Sequence, residues 1–238
     1  SVVNVVGSSV ARESDDVFYT WAGPEIAVAS TKAYTTQLIS MYLLALHMGS
    51  EKGCLTPEQK SELAAELMGL PTKISEILKL VAEIEAIAKQ LYMKTQVFFI
   101  GRGTDCAVSY EGSLKLKEIS YINSFAVAAG ELKHGTIALV EQDTLVVALA
   151  TQGKLFEKMI SNIQEVKARG AYVVAVAQES CKQLEGHADR VIHIPDCRDE
   201  FTPILAVIPL QLFAYHVARF RGCDIDKPKN LAKSVTVE

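Results

Sequence analysis

The sequence lacks the patterns that usually identify metal sites, disulfide frameworks and nucleic-acid binders. Its five cysteines are scattered without CxxC spacing, and its five histidines include no HxxxH pair. An odd, dispersed set of cysteines is typical of reduced thiols in the cytoplasm, so we expect neither disulfides nor a zinc site. The net charge of −4, without a Lys/Arg run, argues against a dedicated nucleic-acid binder. We expect no metal and no cofactor.

Membrane and secretion signals are also missing. No apolar stretch approaches the roughly 20 residues needed to span a bilayer. The start, SVVNVVGSS, has no basic region or cleavage pattern of a secretory signal. These absences predict a cytoplasmic protein without a membrane partner. A hydrophobic content of 49% over 238 residues is enough for a substantial globular core.

Continuous apolar strands alternate with helices through the second half of the chain. Strands are predicted at 96–100, 144–150, 172–177 and 190–194, and helices at 154–169 and 201–221. Strands that are apolar on both faces are typical of parallel sheets covered by helices on each side. The pattern therefore predicts an α/β fold, a three-layer doubly wound parallel sheet.

The first part of the chain contains two short β-branched runs, at 2–6 and 17–20, followed by three predicted helices. The first helix runs from residue 30 to 49 and is apolar nearly all round, so we expect it to be central. The second begins at Thr56-Pro57, and the third covers 71–93.

An internal repeat is visible in the order strand, serine, acidic residue, short strand, acidic loop and long apolar helix. It occurs over residues 2–45 and again over 172–203. If these are copies, the first begins at its fourth strand, and the portion matching residues 96–171, 76 residues long, is missing from the front. The predicted domains are 1–70, the C-terminal part of a truncated first copy; 71–227, one complete copy; and 228–238, a C-terminal tail.

The strongest candidate site lies within residues 110–136. A predicted helix there places Glu111, Lys115 and Glu118 on one face, and a turn-like segment then presents His134. A carboxylate, an ammonium and an imidazole suit proton transfer on a small polar substrate. A solvated Glu/Lys face and a structural turn histidine explain the same pattern, and the spacing alone does not decide between them.

A second candidate is the segment GRGTDC at 101–106. It follows an apolar strand and precedes a helix, which is the layout of an anion site at a helix N-terminus. It has neither the GxGxxG spacing nor the Gly-Lys-Ser/Thr of a P-loop. A ligand site and a plain strand-to-helix turn both remain open.

Four segments carry a family resemblance. They are EIAVASTKAY at 25–34, KLKEISYI at 115–122, GELKHG at 130–135 and PKNLAKSVTVE at 228–238. Together they resemble the two sugar-isomerase domains and the C-terminal tail of the glutamine–fructose-6-phosphate aminotransferases. The resemblance covers essentially the whole chain. It implies the isomerase part of an enzyme that makes glucosamine 6-phosphate from fructose 6-phosphate and ammonia, the first step of UDP-GlcNAc synthesis.

The resemblance also implies catalytic roles. Glu118 matches the base that moves a proton between C1 and C2, which requires a carboxylate partly shielded from water. His134 matches a residue that opens the sugar ring and comes from the neighbouring subunit of a homodimer. Lys233 matches the lysine that forms a Schiff base with the open-chain ketose, and Lys115 matches one that steadies developing charge near O1 and C1.

Substrate binding is implied for Val28, Ser30 and Ala232, partly through backbone groups. Lys229 stands where the family usually has arginine. The family's phosphate-gripping loop belongs to the missing front portion, and its glutaminase domain, the source of ammonia, lies upstream of that. This chain alone is therefore expected to be inactive.

Two alternatives remain. One is a stand-alone deaminase or isomerase acting on amino-sugar phosphates, against which the tail argues. The other is a non-catalytic sugar-phosphate sensor, which would not need Glu118, His134 and Lys233 together.

Overall fold

The computed structural model describes residues 1–233, and the last five residues of the predicted tail lie outside this range. The chain divides into two compact units. Unit 1 contains Ser1–Leu70 and the segment that begins at Leu231, and unit 2 contains Pro71–Asn230.

Unit 1 begins with two short strands joined through a helical turn. Its elements are β1 (Val2–Val3), α1 (Ser9–Arg12), β2 (Phe18–Tyr19), α2 (Lys32–Glu51) and the first part of α3 (Pro57–Ile77). β1 and β2 pair in parallel, with Val2 opposite Phe18. The hydroxyl of Ser8 accepts a hydrogen bond from the Ala11 N–H and so caps α1.

The prediction that α2 is central was wrong for the residues that the structure describes. Ser40 is the buried residue of this helix, whereas Met41, Leu43 and Met48 are about half exposed. The apolar composition predicted burial, which these side chains do not reach in the part of the chain that the structure describes.

The prediction that a new helix starts at residue 71 was also wrong. Pro71 lies inside α3, which continues to Ile77, and a 3-10 turn at Leu78–Leu80 then leads into α4 (Val81–Leu91). A proline inside a helix removes one backbone hydrogen bond. Leu70 and Ile77 on either side of it are fully buried, and this burial offsets the loss.

Unit 2 contains a five-stranded parallel sheet. Its remaining elements are β3 (Gln96–Gly101), α5 (Thr104–Ser120), β4 (Asn123–Ala128), 3-10 turns at Ala129–His134 and Thr136–Leu139, β5 (Leu145–Ala150), α6 (Phe156–Lys167), β6 (Tyr172–Gln178), β7 (Arg190–Ile194) and α7 (Thr202–Phe220). The strand order is β4-β3-β5-β6-β7, and every neighbouring pair is parallel. The predicted doubly wound parallel sheet is confirmed, with its switch point between β3 and β5.

Helices cover both faces of this sheet. On one face, Phe98 and Val146 pack with Met159 and Ile163 of α6. On the other face, α5 and α7 approach each other closely at Gly112. A Cβ added there would stand 2.5 Å from a side-chain carbon of Leu210 and 3.1 Å from the Phe99 ring. Only glycine allows this approach, which fixes α5 against the sheet.

Strand β4 was missed by the sequence analysis, which described an Ala/Gly-rich passage. It forms the edge of the sheet beside β3, with Phe98 opposite Phe125. Ser124 faces inward and donates a hydrogen bond to the Ser113 carbonyl of α5. The small residues that weakened the strand signal allow this close contact with the helix.

The final helix α7 is long and apolar enough to cross a membrane by length and composition, contrary to the expectation that no stretch approaches this length. However, 72% of its apolar window is buried inside the structure. A buried core helix passes the same test, and α7 packs in the core of unit 2.

The order of elements supports the internal repeat. In unit 1 a parallel strand pair, β1 and β2, is followed by α2, and in unit 2 the parallel pair β6 and β7 is followed by α7. The spacing is the same in both places, from residue 2 to 32 and from residue 172 to 202.

Candidate active site

Helix α5 carries a buried cluster of three charges. The Lys115 ammonium lies 2.6 Å from Oε2 of Glu118 and 3.5 Å from Oε1 of Glu111. The three side chains therefore share one face, as their spacing predicted. The Lys115 side chain is only 5% exposed and that of Glu118 is 21% exposed. This burial rules out the simple interpretation of a solvated Glu/Lys surface.

Glu111 is the least satisfied member of the cluster. Its Oε1 is buried and accepts no hydrogen bond. Burial raises the pKa of Glu111, the nearby Lys115 ammonium lowers it, and the Glu118 carboxylate raises it again. One buried ammonium thus lies between two carboxylates, and its removal would leave them facing each other.

Glu118 does not lie where parallel sheets usually bind ligands. Helix α5 starts after the carboxyl end of β3 and runs back along the sheet, so that Glu118 lies near the start of β4. Ligands of such sheets sit beyond the carboxyl ends of the strands, at the switch point. Unit 2 therefore presents Glu118 from the opposite end of its sheet, away from its own crevice.

The turn at the switch point is occupied by internal contacts. The buried Asp105 carboxylate accepts hydrogen bonds from the Thr151 N–H at 2.7 Å and the Thr151 hydroxyl at 2.5 Å. Arg102 donates its Nε–H to the Asn162 side chain. A Cβ added at Gly101 would stand 2.5 Å from backbone atoms of Asp105, and the backbone of Gly103 has a φ of +57°. These contacts favour the interpretation of GRGTDC as a strand-to-helix turn.

Asp105 gives the protein a measurable pH dependence. Burial raises the pKa of Asp105 to about 6, against hydrogen bonds from Thr151 that lower it. A carboxyl whose pKa is raised on folding binds its proton more tightly in the folded state. The free energy of unfolding therefore falls as the pH rises from about 4 to about 6, and Asp105 contributes on the order of 3 kcal/mol to this fall. Above this window its contribution no longer changes with pH.

We expect Asp105→Asn to remove this pH-dependent loss of stability, because the amide keeps polar contacts to Thr151 without a titrating charge. Urea unfolding of both proteins at pH 4, 5, 6 and 7 gives the difference directly. Parallel curves for the two proteins would show that Asp105 does not titrate in this range.

His134 ends the 3-10 turn Ala129–His134. Its imidazole is 74% exposed, and its charged partner among the described residues is Glu131, 3.9 Å away. The turn itself is held firmly, because Leu132 is fully buried and the Lys133 ammonium pairs with Glu165 at 2.7 Å. The imidazole is therefore presented outward on a fixed turn.

The structure does not bring His134 and Glu118 together within unit 2. Glu118 precedes the start of β4, and His134 follows its end. A strand of six residues is about 20 Å long, and it separates the two side chains. A site that uses both needs one of them from another copy of the chain.

Unit 1 places the other candidate residues around Glu25. Its carboxylate accepts a hydrogen bond from the Ser30 hydroxyl at 2.7 Å and from the Thr31 N–H at 2.7 Å. The Lys233 ammonium donates to the Glu25 carbonyl at 2.5 Å and lies 3.8 Å from Oε2. Ser30 and Lys233, about 200 positions apart in sequence, thus meet at one carboxylate. Val28 is half-buried in the same loop.

The electrostatics of Glu25 follow from these contacts. Burial raises its pKa, but the hydrogen bonds from Thr31 and Ser30 and the Lys233 ammonium outweigh this and lower the pKa of Glu25 overall. The carboxylate is therefore ionised at neutral pH. Glu25 belongs to the motif EIAVASTKAY, but no role could be predicted for it from the sequence, because its partner Lys233 lies at the far end of the chain.

The start of the tail is anchored within unit 2. The Lys229 N–H donates to the Tyr121 hydroxyl at 2.7 Å, and the Lys229 ammonium lies 4.3 Å from the centre of the Tyr121 ring. Tyr121 follows the last turn of α5 with a φ of +60°. The tail is thus fastened one helical turn from Glu118. Ala232, further along, is exposed.

Comparison with known proteins identifies the family of the chain. The family model described as the SIS domain matches residues 1–47 and 90–220. The glutamine–fructose-6-phosphate aminotransferases [isomerizing] of Caldanaerobacter subterraneus and Clostridium tetani are 61% and 56% identical to this chain over its whole length. The chain spans 39% of the length of each of these relatives.

Two solved structures are also similar. The C-terminal domain of the glucosamine-fructose-6-phosphate aminotransferase from Francisella tularensis is 41% identical, with a TM-score of 0.91, over 94% of this chain and 64% of that one. A glucosamine-6-phosphate deaminase from Thermotoga maritima is 26% identical, with a TM-score of 0.75, over 98% of this chain and 65% of that one.

Proposed function

The chain belongs to the SIS-domain family, and we propose that it forms the isomerase part of a glutamine–fructose-6-phosphate aminotransferase. In that role it converts fructose 6-phosphate and ammonia to glucosamine 6-phosphate. The observation that carries the proposal is the Lys115–Glu118 pair, a partly shielded carboxylate held 2.6 Å from a buried ammonium. A carboxylate in this setting is suited to moving a proton between adjacent carbons.

The first step assigned to the site is covalent. The neutral amine of Lys233 attacks the C2 carbonyl of the open-chain ketose, and water leaves as the imine forms. Ammonia then displaces the lysine amine from C2, and Lys233 is released unchanged.

The second step is the isomerisation. Glu118 takes a proton from C1, the electron pair of the C1–H bond forms a C1=C2 double bond, and the C2=N pair moves to the nitrogen, which takes a proton. Glu118 then returns its proton to C2, while O1 loses its hydroxyl proton and the O–H electron pair makes C1 a carbonyl. Negative charge develops at O1 during the transfer, and the Lys115 ammonium beside Glu118 stabilises it. Neither group needs a cofactor for this transfer.

Ring opening is assigned to His134 of a second copy. The separation of Glu118 and His134 by the length of β4 supports a homodimer in which each copy supplies its imidazole to its partner. An exposed imidazole on a firmly held turn suits this exchange. Val28, Ser30 and Ala232 hold the sugar hydroxyls, partly through backbone groups.

Ammonia comes from a glutaminase domain elsewhere in the polypeptide. The curated relatives are much longer than this chain, which supports a further domain in the whole protein. The substrates are small and polar, and we place the enzyme in the cytoplasm.

A second candidate is a glucosamine-6-phosphate deaminase, favoured by the similarity to the Thermotoga maritima structure. The same proton transfer and imine chemistry would then run towards fructose 6-phosphate and release ammonia. Glutamine would not be a substrate of that reaction.

The test uses the whole polypeptide that contains this chain. We expect formation of glucosamine 6-phosphate and glutamate from fructose 6-phosphate and glutamine. Release of ammonia from glucosamine 6-phosphate, with no product from glutamine and fructose 6-phosphate, would instead identify the deaminase.

A further inference from the structure

We propose that Glu25 is a positioning residue that joins the Ser30 loop to the Lys233 amine and holds that amine in place until the sugar displaces it. The proposal rests on the proposed function for the identity of the sugar. The contacts themselves belong to unit 1 and stand without it.

The carboxylate of Glu25 organises the loop. Its side chain is only 9% exposed, so its oxygens need partners. Oε2 accepts from the Ser30 hydroxyl, and Oε1 accepts from the Thr31 N–H. Thr31 is the first residue before α2 and makes no cap of its own with its side chain. Glu25 therefore serves as the cap of α2, where a negative charge is also favoured by the helix dipole.

The same residue holds the lysine through two groups. The Lys233 ammonium donates to the Glu25 main-chain carbonyl and lies near Oε2, the oxygen that also accepts from Ser30. Lys32 brings a second ammonium to this loop, where it donates to the Pro24 carbonyl at 2.7 Å. Glu25 and Lys233 are thus the charged pair of this loop, and the Lys32 ammonium is held at the Pro24 carbonyl beside it.

This arrangement couples sugar binding to release of the amine. An ammonium ion cannot attack a carbonyl, so Lys233 must lose a proton and leave Glu25 before the imine forms. A sugar hydroxyl that binds Ser30 changes the hydrogen bonding of the same oxygen that attracts Lys233. The loop is thereby rearranged at the moment when the carbonyl arrives.

The experiment measures the reactivity of Lys233 in the absence of sugar. Acetic anhydride labels free amines, and peptide mass spectrometry gives the rate at which Lys233 is labelled at one fixed pH. We expect Glu25→Gln to raise this rate about threefold, because the amide no longer attracts Lys233 to the loop. Glu25→Asp keeps the charge and should retain most of the wild-type protection.

A matched control is Glu51→Gln, which removes the same charge from the exposed far end of α2, about 30 Å away along the helix axis. It should leave the labelling rate of Lys233 unchanged, and Lys229 in the same digests should not respond to either variant. An unchanged Lys233 rate in Glu25→Gln, or an equal increase in Glu51→Gln, overturns the proposal. Faster labelling of Lys233 in Glu25→Gln of a protein that makes no glucosamine 6-phosphate would refute the proposed function alone.

Discussion

We expect Glu118→Gln in the whole polypeptide to lower the rate of the proposed isomerisation by about 10³-fold, while the affinity for the proposed substrate, fructose 6-phosphate, changes by no more than a few-fold. Glutamine keeps an oxygen that can accept from the Lys115 ammonium, so the geometry of the pair is conserved and only the proton acceptor is lost. The rate is measured as glucosamine 6-phosphate formed, and binding by calorimetry.

The control for this variant is Glu83→Gln, an exposed position in the first turn of α4. It removes the same charge from unit 2 without touching the cluster, and should keep normal turnover. Near-normal turnover of Glu118→Gln would refute the role of Glu118 as the base. Loss of binding together with turnover would assign it to substrate recognition.

Lys115→Met destabilises unit 2 by about 3 kcal/mol at pH 7. The buried ammonium is the group that compensates both neighbouring carboxylates, one of which already has a buried oxygen without a hydrogen bond. Methionine fills a similar volume but leaves Glu111 and Glu118 facing each other. We expect a second substitution, Glu111→Gln, to recover at least half of the lost stability, because it removes one of the two facing charges.

Urea unfolding measures both variants. Lys117→Met is the matched control, since Lys117 lies on the same helix but is exposed, over the Phe125 ring. Its cost should stay below about 1 kcal/mol. Equal losses for Lys115→Met and Lys117→Met would mean that the cluster contributes no more than a surface charge. A double variant no more stable than Lys115→Met would show that repulsion between the carboxylates is not the cause.

Much of unit 2 could be predicted from the sequence because its strands are continuous apolar runs. The strands β3, β5, β6 and β7 and the helices α6 and α7 were found within a few residues of their observed bounds. β4 was not, because the alanines and serine that let it approach α5 also removed the β-branched signal. The helix start predicted at Pro71 was wrong because burial of the flanking side chains outweighs the local cost of a proline.

The candidate site could be predicted only in part from the sequence. The helical spacing of Glu111, Lys115 and Glu118 predicted a shared face, but only the structure shows that this face is buried. The separation of Glu118 from His134 depends on β4, the strand that the sequence analysis missed. Glu25 has no local signal at all, because the contact that distinguishes it comes from Lys233.

The covalent role of Lys233 is the central step of the proposed reaction. The direct test is borohydride reduction of the full-length enzyme in the presence of fructose 6-phosphate, followed by peptide mass spectrometry. We predict a reduced sugar-phosphate adduct on the peptide that contains Lys233, in wild type and in Glu118→Gln alike. An enzyme that forms glucosamine 6-phosphate under the same conditions, yet carries its adduct on another lysine or carries none, would contradict the account.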